Sequence, residues 1–135
     1  MKVRMTELRG ITTDLHSSLR EHGMKDSDQL LDVGRTLVGR KELASKTGAD
    51  PKYILELVNR ADLARIRGIG SAYSNLLEEA GVDTVKELAT RRADNLFAKL
   101  LEVNAAKKLV GRTPTQQMVQ DWISQAKELP KLVEY

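Results

Sequence analysis

Few side chains in these 135 residues could carry out a reaction. There is no cysteine, which removes a thiolate nucleophile, a thiolate zinc site and a disulfide framework. The two histidines, His16 and His22, stand six residues apart on one predicted helix. At about 100° per residue that spacing sets them far apart around the axis, so they cannot share a metal and read as surface residues. The carboxylates fall three or four positions from lysine or arginine, as they do on solvated helices. No Ser-His-Asp order, phosphate-binding loop or metal-ligand spacing occurs. The expectation is a binding protein rather than an enzyme, with no cofactor and no metal. What stands out instead is a glycine-apolar-glycine tract, Gly68-Ile69-Gly70, preceded by Arg67 and followed by Ser71.

That tract belongs to a repeat. Arg9-Gly10-Ile11 recurs as Arg67-Gly68-Ile69, an offset of 58 residues, and at the same offset Leu15 meets Tyr73, Leu19 meets Leu77, Gly23 meets Gly81 and Leu30 meets Leu88. Matches at one fixed offset, with glycine at both turn positions, point to a duplicated supersecondary unit. In the second copy, residues 61–66 read as a short helix stopped at Gly68, where glycine favours a left-handed turn. Ile69 should plug the core. A helix from Ser71 carries Ala72, Tyr73, Leu76, Leu77 and Ala80 on one stripe and ends at Gly81. Thr84-Val85-Lys86-Glu87 has the capping-box pattern of a helix start.

Beyond Arg91-Arg92 an amphipathic stripe runs through Leu96, Phe97, Leu100, Leu101 and Val103. Residues 104–112 read as a linker carrying Lys107, Lys108 and Arg112. Thr113-Pro114 predicts a helix start, with Thr113 as N-cap, and the last helix should bury Met118, Val119, Trp122, Ile123 and Ala126 before ending near Pro130. In the first half Asp50-Pro51 starts a similar helix. No convincing period-2 strand occurs, so the fold class is all-α.

Charge leaves the partner open. The 22 basic and 19 acidic residues give a net +3. Residues 1–60 hold 11 basic against 9 acidic, and residues 61–135 hold 11 against 10, so neither half is a basic arm. Membrane spanning is not expected, because no apolar run approaches the roughly 20 residues it needs. The first residues, Met1 to Glu7, lack the apolar stretch of a secretory leader, and the chain reads as cytoplasmic. Most of the aromatics, Tyr53, Tyr73, Phe97, Trp122 and Tyr135, fall on predicted buried faces, which argues against single-strand binding by base stacking.

Ile66-Arg67-Gly68-Ile69-Gly70 followed by Leu76-Leu77 resembles the helix-hairpin-helix motif, apolar-x-Gly-apolar-Gly before a helix. Residues 77–88 are similar to a hairpin in the C-terminal domain of the bacterial RNA polymerase α subunit. Over nearly its whole length the chain resembles an uncharacterised bacterial family of tandem helix-hairpin-helix proteins. The tracts that carry this include Gly39-Arg40-Lys41-Glu42-Leu43-Ala44, Val58-Asn59-Arg60-Ala61-Asp62-Leu63 and Val119-Gln120-Asp121-Trp122-Ile123. The resemblance implies two SAM-like units in one multi-helix domain. Residues 1–60 would form the first, with a degenerate hairpin, and 61–135 the second, with a C-terminal amphipathic helix.

It also implies a double-stranded DNA partner held by phosphate contacts. Glycine lets backbone N–H groups approach a phosphate, and the helix beginning there adds its positive dipole end. Such contacts position without reading sequence. The implied phosphate-facing set is Gly68, Ile69 and Gly70 by main chain, with Arg67 and Ser71 adding side chains and Arg65 flanking. Secondary contacts would come from Arg9, Gly10, Ile11 and Thr12 of the first copy and from Arg91, Arg92, Lys107, Lys108 and Arg112. Two departures weaken this transfer. Ala72 stands where DNA-binding hairpins often carry lysine, and the first copy has Thr12 for the second glycine and Asp14 at the position equivalent to Ala72. A helical adaptor that contacts a protein partner is the alternative expectation.

Overall fold

Six of the eight helices among the described residues of the computed structural model begin at a residue whose own side chain caps them. The model describes residues 2–135; Met1, with which the expected first unit opens, lies outside them. After a single 3-10 turn at Met5–Glu7 come α1 (Thr13–Glu21), α2 (Ser27–Gly34), α3 (Leu37–Thr47) and α4 (Pro51–Leu63), then α5 (Ser71–Glu79), α6 (Val85–Ala89), α7 (Ala93–Lys107) and α8 (Gln116–Glu128). The caps are Thr12, Asp26, Thr36, Asp50, Thr84 and Thr115, each accepting a hydrogen bond from a first-turn N–H. A cap of this kind is worth about 1 kcal/mol. The chain is all-α, with no strand among the described residues.

Three boundaries differ from the sequence expectation. The short helix expected over 61–66 is the end of α4, which runs unbroken from Pro51 to Leu63 through the expected unit boundary at residue 60. Residues 104–107 belong to α7 rather than a linker; Asn104 then clasps the turn, donating to the Val110 carbonyl (3.1 Å) and accepting from the Val110 N–H (2.9 Å). Thr115, not Thr113, caps α8, taking the Met118 N–H at 3.1 Å. Pro114 is buried before the cap and disfavours helix at Thr113.

The backbone recurs at the 58-residue offset. Both ends of α1 match those of α5, and α2 and α6 start 58 residues apart. Gly10 and Gly68 take φ of +92° and +97°, and Gly23 and Gly81 take +86° and +93°. The turn bonds recur as well. Ile11 N–H donates to the Leu8 carbonyl and Ile69 N–H to that of Ile66, both at 3.2 Å. Met24 N–H donates to Leu19 (2.9 Å) and Val82 N–H to Leu77 (2.8 Å).

Apolar residues gather in two cores. One holds Met5, Leu15, Leu19, Leu30, Leu43, Ile54 and Val58; the other holds Ile66, Ile69, Leu77, Leu88, Leu100 and Trp122. Helix α4 enters both, giving Ile54 to Ala61 to the first and Leu63 to the second. Polar groups fasten the joint. Asp62, 2% exposed, accepts from the Arg65 guanidinium at 2.7 Å and from the Val85 N–H at 2.8 Å. Arg60 pairs with Glu78 and reaches Asn75 at 3.4 Å. The C-terminal stretch then returns to the first half: Leu132 and Val133 pack on its core, and buried Arg40 donates to the Glu134 carbonyl at 2.6 Å.

Removing the Asp62 carboxylate strands a buried guanidinium and the first N–H of α6 together. Asp62→Ala should lose about 3–5 kcal/mol, the range for breaking a buried pair, measured as a lower urea midpoint with unchanged slope.

Candidate functional site

At the second hairpin Ile69 is fully buried while Arg67 and Gly68 are exposed. Gly68 turns left-handed over the indole of Trp122; a Cβ there would lie 3.0 Å from Nε1. Tyr73 packs on the same indole, ring centroids 5.3 Å apart, and its hydroxyl donates to the Arg112 carbonyl at 3.0 Å. One aromatic pair thus supports the hairpin from below and hangs the loop before α8 beside α5. The backbone of Arg67 is clamped by Gln125, whose Oε1 accepts the Arg67 N–H (2.8 Å) and whose amide donates to its carbonyl (3.1 Å). The Arg67 side chain makes no ion pair among the described residues.

Gly70 opens α5 with no side-chain cap, and the first main-chain bond of the helix is Ser74 N–H to the Gly70 carbonyl at 3.0 Å. The amides of Ser71, Ala72 and Tyr73 therefore sit in the uncapped first turn, where a helix has no internal acceptors for its N–H groups. A groove of about 440 Å³ runs alongside, between Arg65, Arg67 and the end of α8 at Ser124, Gln125, Glu128 and Leu129. Glu128 puts one carboxylate in it.

The first hairpin has the same backbone and a different surface. The Tyr53 hydroxyl donates to the Gly10 carbonyl and accepts from the Thr12 N–H at 2.9 Å. Thr12 Oγ1 then caps the Leu15 N–H at 3.2 Å, and Asp14 occupies the first turn of α1. Its polar groups are answered from within, although Arg9, Gly10 and Thr12 are exposed and Ile11 half-buried.

The other expected residues do not converge on one place. Arg65 is engaged inward, with a side chain 11% exposed that holds Asp62 and donates to the Pro130 carbonyl at 2.9 Å. Arg91 binds Glu87 at 3.0 Å and the Gly81 carbonyl at 3.1 Å, at the far end of α5 from the hairpin. Arg92 pairs with Asp94 at 3.1 Å. Lys107 pairs with Glu79, which holds the Glu79 carboxyl below its ordinary value. Lys108 is exposed just beyond, at the left-handed end of α7. Only Arg112 is brought toward the hairpin, by its backbone. Sequence reasoning missed Gln125 and Tyr53, which fix the two hairpins from other helices; neither carries a local signal that ties it to a turn so far away in the chain.

The domain of unknown function DUF4332 matches residues 9–129, and the chain belongs to that family. No curated protein and no solved structure matches it. Among the described residues no group of three ligating side chains is placed to hold a metal ion, and no helix is long and apolar enough to cross a membrane.

Two substitutions separate the hairpins. Gly68→Ala must adopt a left-handed φ and also displace Trp122, whereas a Cβ at Gly10 meets nothing within 4 Å. Left-handed strain alone is about 1–2 kcal/mol, so Gly68→Ala should lower the melting temperature clearly more than Gly10→Ala. Tyr53→Phe, which removes the group bridging Gly10 and Thr12, should lose about 1–2 kcal/mol in the same thermal melts.

Proposed function

We propose that this chain is a sequence-independent double-stranded DNA binder without catalytic activity, built from two helix-hairpin-helix units, and that it holds phosphates at the second hairpin. The observation that carries this is the contrast between the hairpins. Where Thr12 and Tyr53 close the first, Gly70 leaves the start of α5 uncapped beside an exposed arginine. Uncapped N–H groups at a glycine turn are the donors a phosphodiester oxygen takes, and the helix dipole adds to them. Arg67, Gly70, Ser71 and the Arg112 loop form this contact; Arg65 supports it from inside. Residues 1–60 act as its brace.

A second reading has its own support. Leu37, 47% exposed at the start of α3, lines a groove with Pro51, Leu55 and Tyr135 that Arg40, Lys41 and Lys52 also border, and the next residue, Val38, is 67% exposed. That surface suits a helical protein partner, with the chain as adaptor.

Anisotropy titration of a labelled random duplex of roughly 20 base pairs, at 50 and 200 mM salt, separates the two. Two to four phosphate contacts give a log-log salt slope of about −2 to −4. The double variant Arg67→Glu, Gly70→Asp should bind at least about tenfold more weakly, with a slope shallower by about 1. Gly70 has φ −99° and open space around its Cβ position, so aspartate fits there as an N-cap. A native circular-dichroism melt of the double variant then separates lost contacts from misfolding. Duplex binding that is equal in the variant, or flat with salt, refutes the hairpin contact; no duplex binding at 50 mM transfers the case to the adaptor.

A further inference from the structure

On the first half, between the 3-10 turn and α1, a groove of about 310 Å³ is lined by Arg4, Met5, Thr6, His16, Arg20 and Lys25. No carboxylate lines it. Arg4 makes an exposed pair with Glu7 at 3.5 Å, and the nearby Asp26 is taken by Lys2 at 3.4 Å. Arg20 and Lys25 form no ion pair among the described residues. Met5 is the buried floor, and the rest of the lining carries two guanidinium groups and an ammonium, with a hydroxyl and an imidazole that can donate as well as accept.

The repeat gives this groove a counterpart. Fifty-eight residues on, Arg4, Thr6, His16, Arg20 and Lys25 become Asp62, Ala64, Ser74, Glu78 and Asp83. The three cations are replaced by three carboxylates. In the second half that face is covered: Asp62, Ala64 and Ser74 are buried, and Arg60 from α4 lies against Glu78. Along α1 and α5, whose ends match at this offset, the same helix face is thus packed in one copy, at Ser74 and Glu78, and part of an open basic groove in the other, at His16 and Arg20; Arg4 is extended where Asp62 is helical. A face freed from packing has no structural need for two cations, Arg20 and Lys25, that no carboxylate answers.

We infer that this groove is a second contact for the DNA phosphodiester backbone, so that the first half engages its ligand through Arg4, Arg20 and Lys25 rather than through its closed hairpin. The inference rests on the DNA reading above. A groove lined by three cations and no carboxylate, without exposed apolar side chains, fits a polyanion, whereas protein interfaces are depleted in charge at their centres and enriched in aromatic residues. The carboxylates of the second copy would repel the same ligand, which leaves that copy its hairpin.

The test is duplex binding by Arg20→Glu, Lys25→Glu against a control, Lys46→Glu, Lys99→Glu, which alters exposed lysines on α3 and α7. Each pair takes the net charge from +3 to −1 by reversing two cations. The groove variant should bind about tenfold more weakly than the control, and its salt slope should be shallower by about 1–2. The milder Arg20→Gln, Lys25→Gln pair should move the same way by less, with a native circular-dichroism melt as the check on folding. Equal affinity in groove variant and control overturns the inference. If the Arg67→Glu, Gly70→Asp variant nevertheless loses binding, the hairpin reading stands alone. If the groove variant binds duplex as the control does but no longer binds a labelled polyglutamate peptide, the groove belongs to an acidic protein partner and the inference is likewise overturned.

Discussion

The carboxylate of Asp62 is the point on which the two halves turn. It lies in the last turn of α4, the helix that enters both cores, and joins three stretches of chain: its own helix, Arg65 before the hairpin and the first amide of α6. Burial raises its carboxyl above the ordinary value, against the opposing pull of the Val85 N–H and Arg65. Glu78 is raised by burial as well, with Arg60 opposing. For a carboxyl raised on folding, the folded chain binds protons more tightly than the unfolded one, so its contribution to stability falls as pH rises through that window. Each oxygen of Asp62 has a donor, which offsets part of the cost of burying its charge. The value of the ion pair is positional more than energetic, since buried ion pairs are weak net stabilisers: it sets where the second hairpin stands relative to α4.

From that joint the asymmetry of the candidate site follows. Arg65 is held inward by Asp62 and Pro130, so Arg67, two residues on, is the arginine left at the surface. Gln125 then fixes the Arg67 backbone, and Trp122 sets the height of Gly68. Under the phosphate-binding reading proposed above, a hairpin already held from α8 would incur a smaller ordering penalty on binding.

Much of this was legible in the sequence because the signals were local. The glycines at 10, 23, 68 and 81 mark left-handed turns that few other residues tolerate, and Asp50-Pro51 and Thr84 with Glu87 mark helix starts by their own chemistry. The errors arose where local signals competed. Two threonines flank Pro114, and only packing selects Thr115. Asn, Lys and Gly over 104–112 suggest a loop, yet α7 continues to Lys107 because Asn104 answers the turn from inside the helix. The role of Arg65 was half-legible, since Asp62 lies three residues before it on the same face. The clamps from Tyr53 and Gln125 join residues 41 to 58 positions apart in the chain, and no periodicity encodes them.

The return of the C-terminal stretch has a kinetic meaning. The Glu134 N–H donates to the Arg35 carbonyl at 2.7 Å, and its own carbonyl takes Arg40, so the end of the chain is stitched to the start of α3. Two halves joined only by α4 would be free to lose structure separately, like neighbouring repeats in a solenoid. Leu129 packs on the second core, Leu132 and Val133 on the first, and Arg65 takes the Pro130 carbonyl between them, so the C-terminal stretch straps the two cores together. Hydrogen exchange in the two cores should then proceed through one shared opening, making the pair a single cooperative foldon instead of two independent ones.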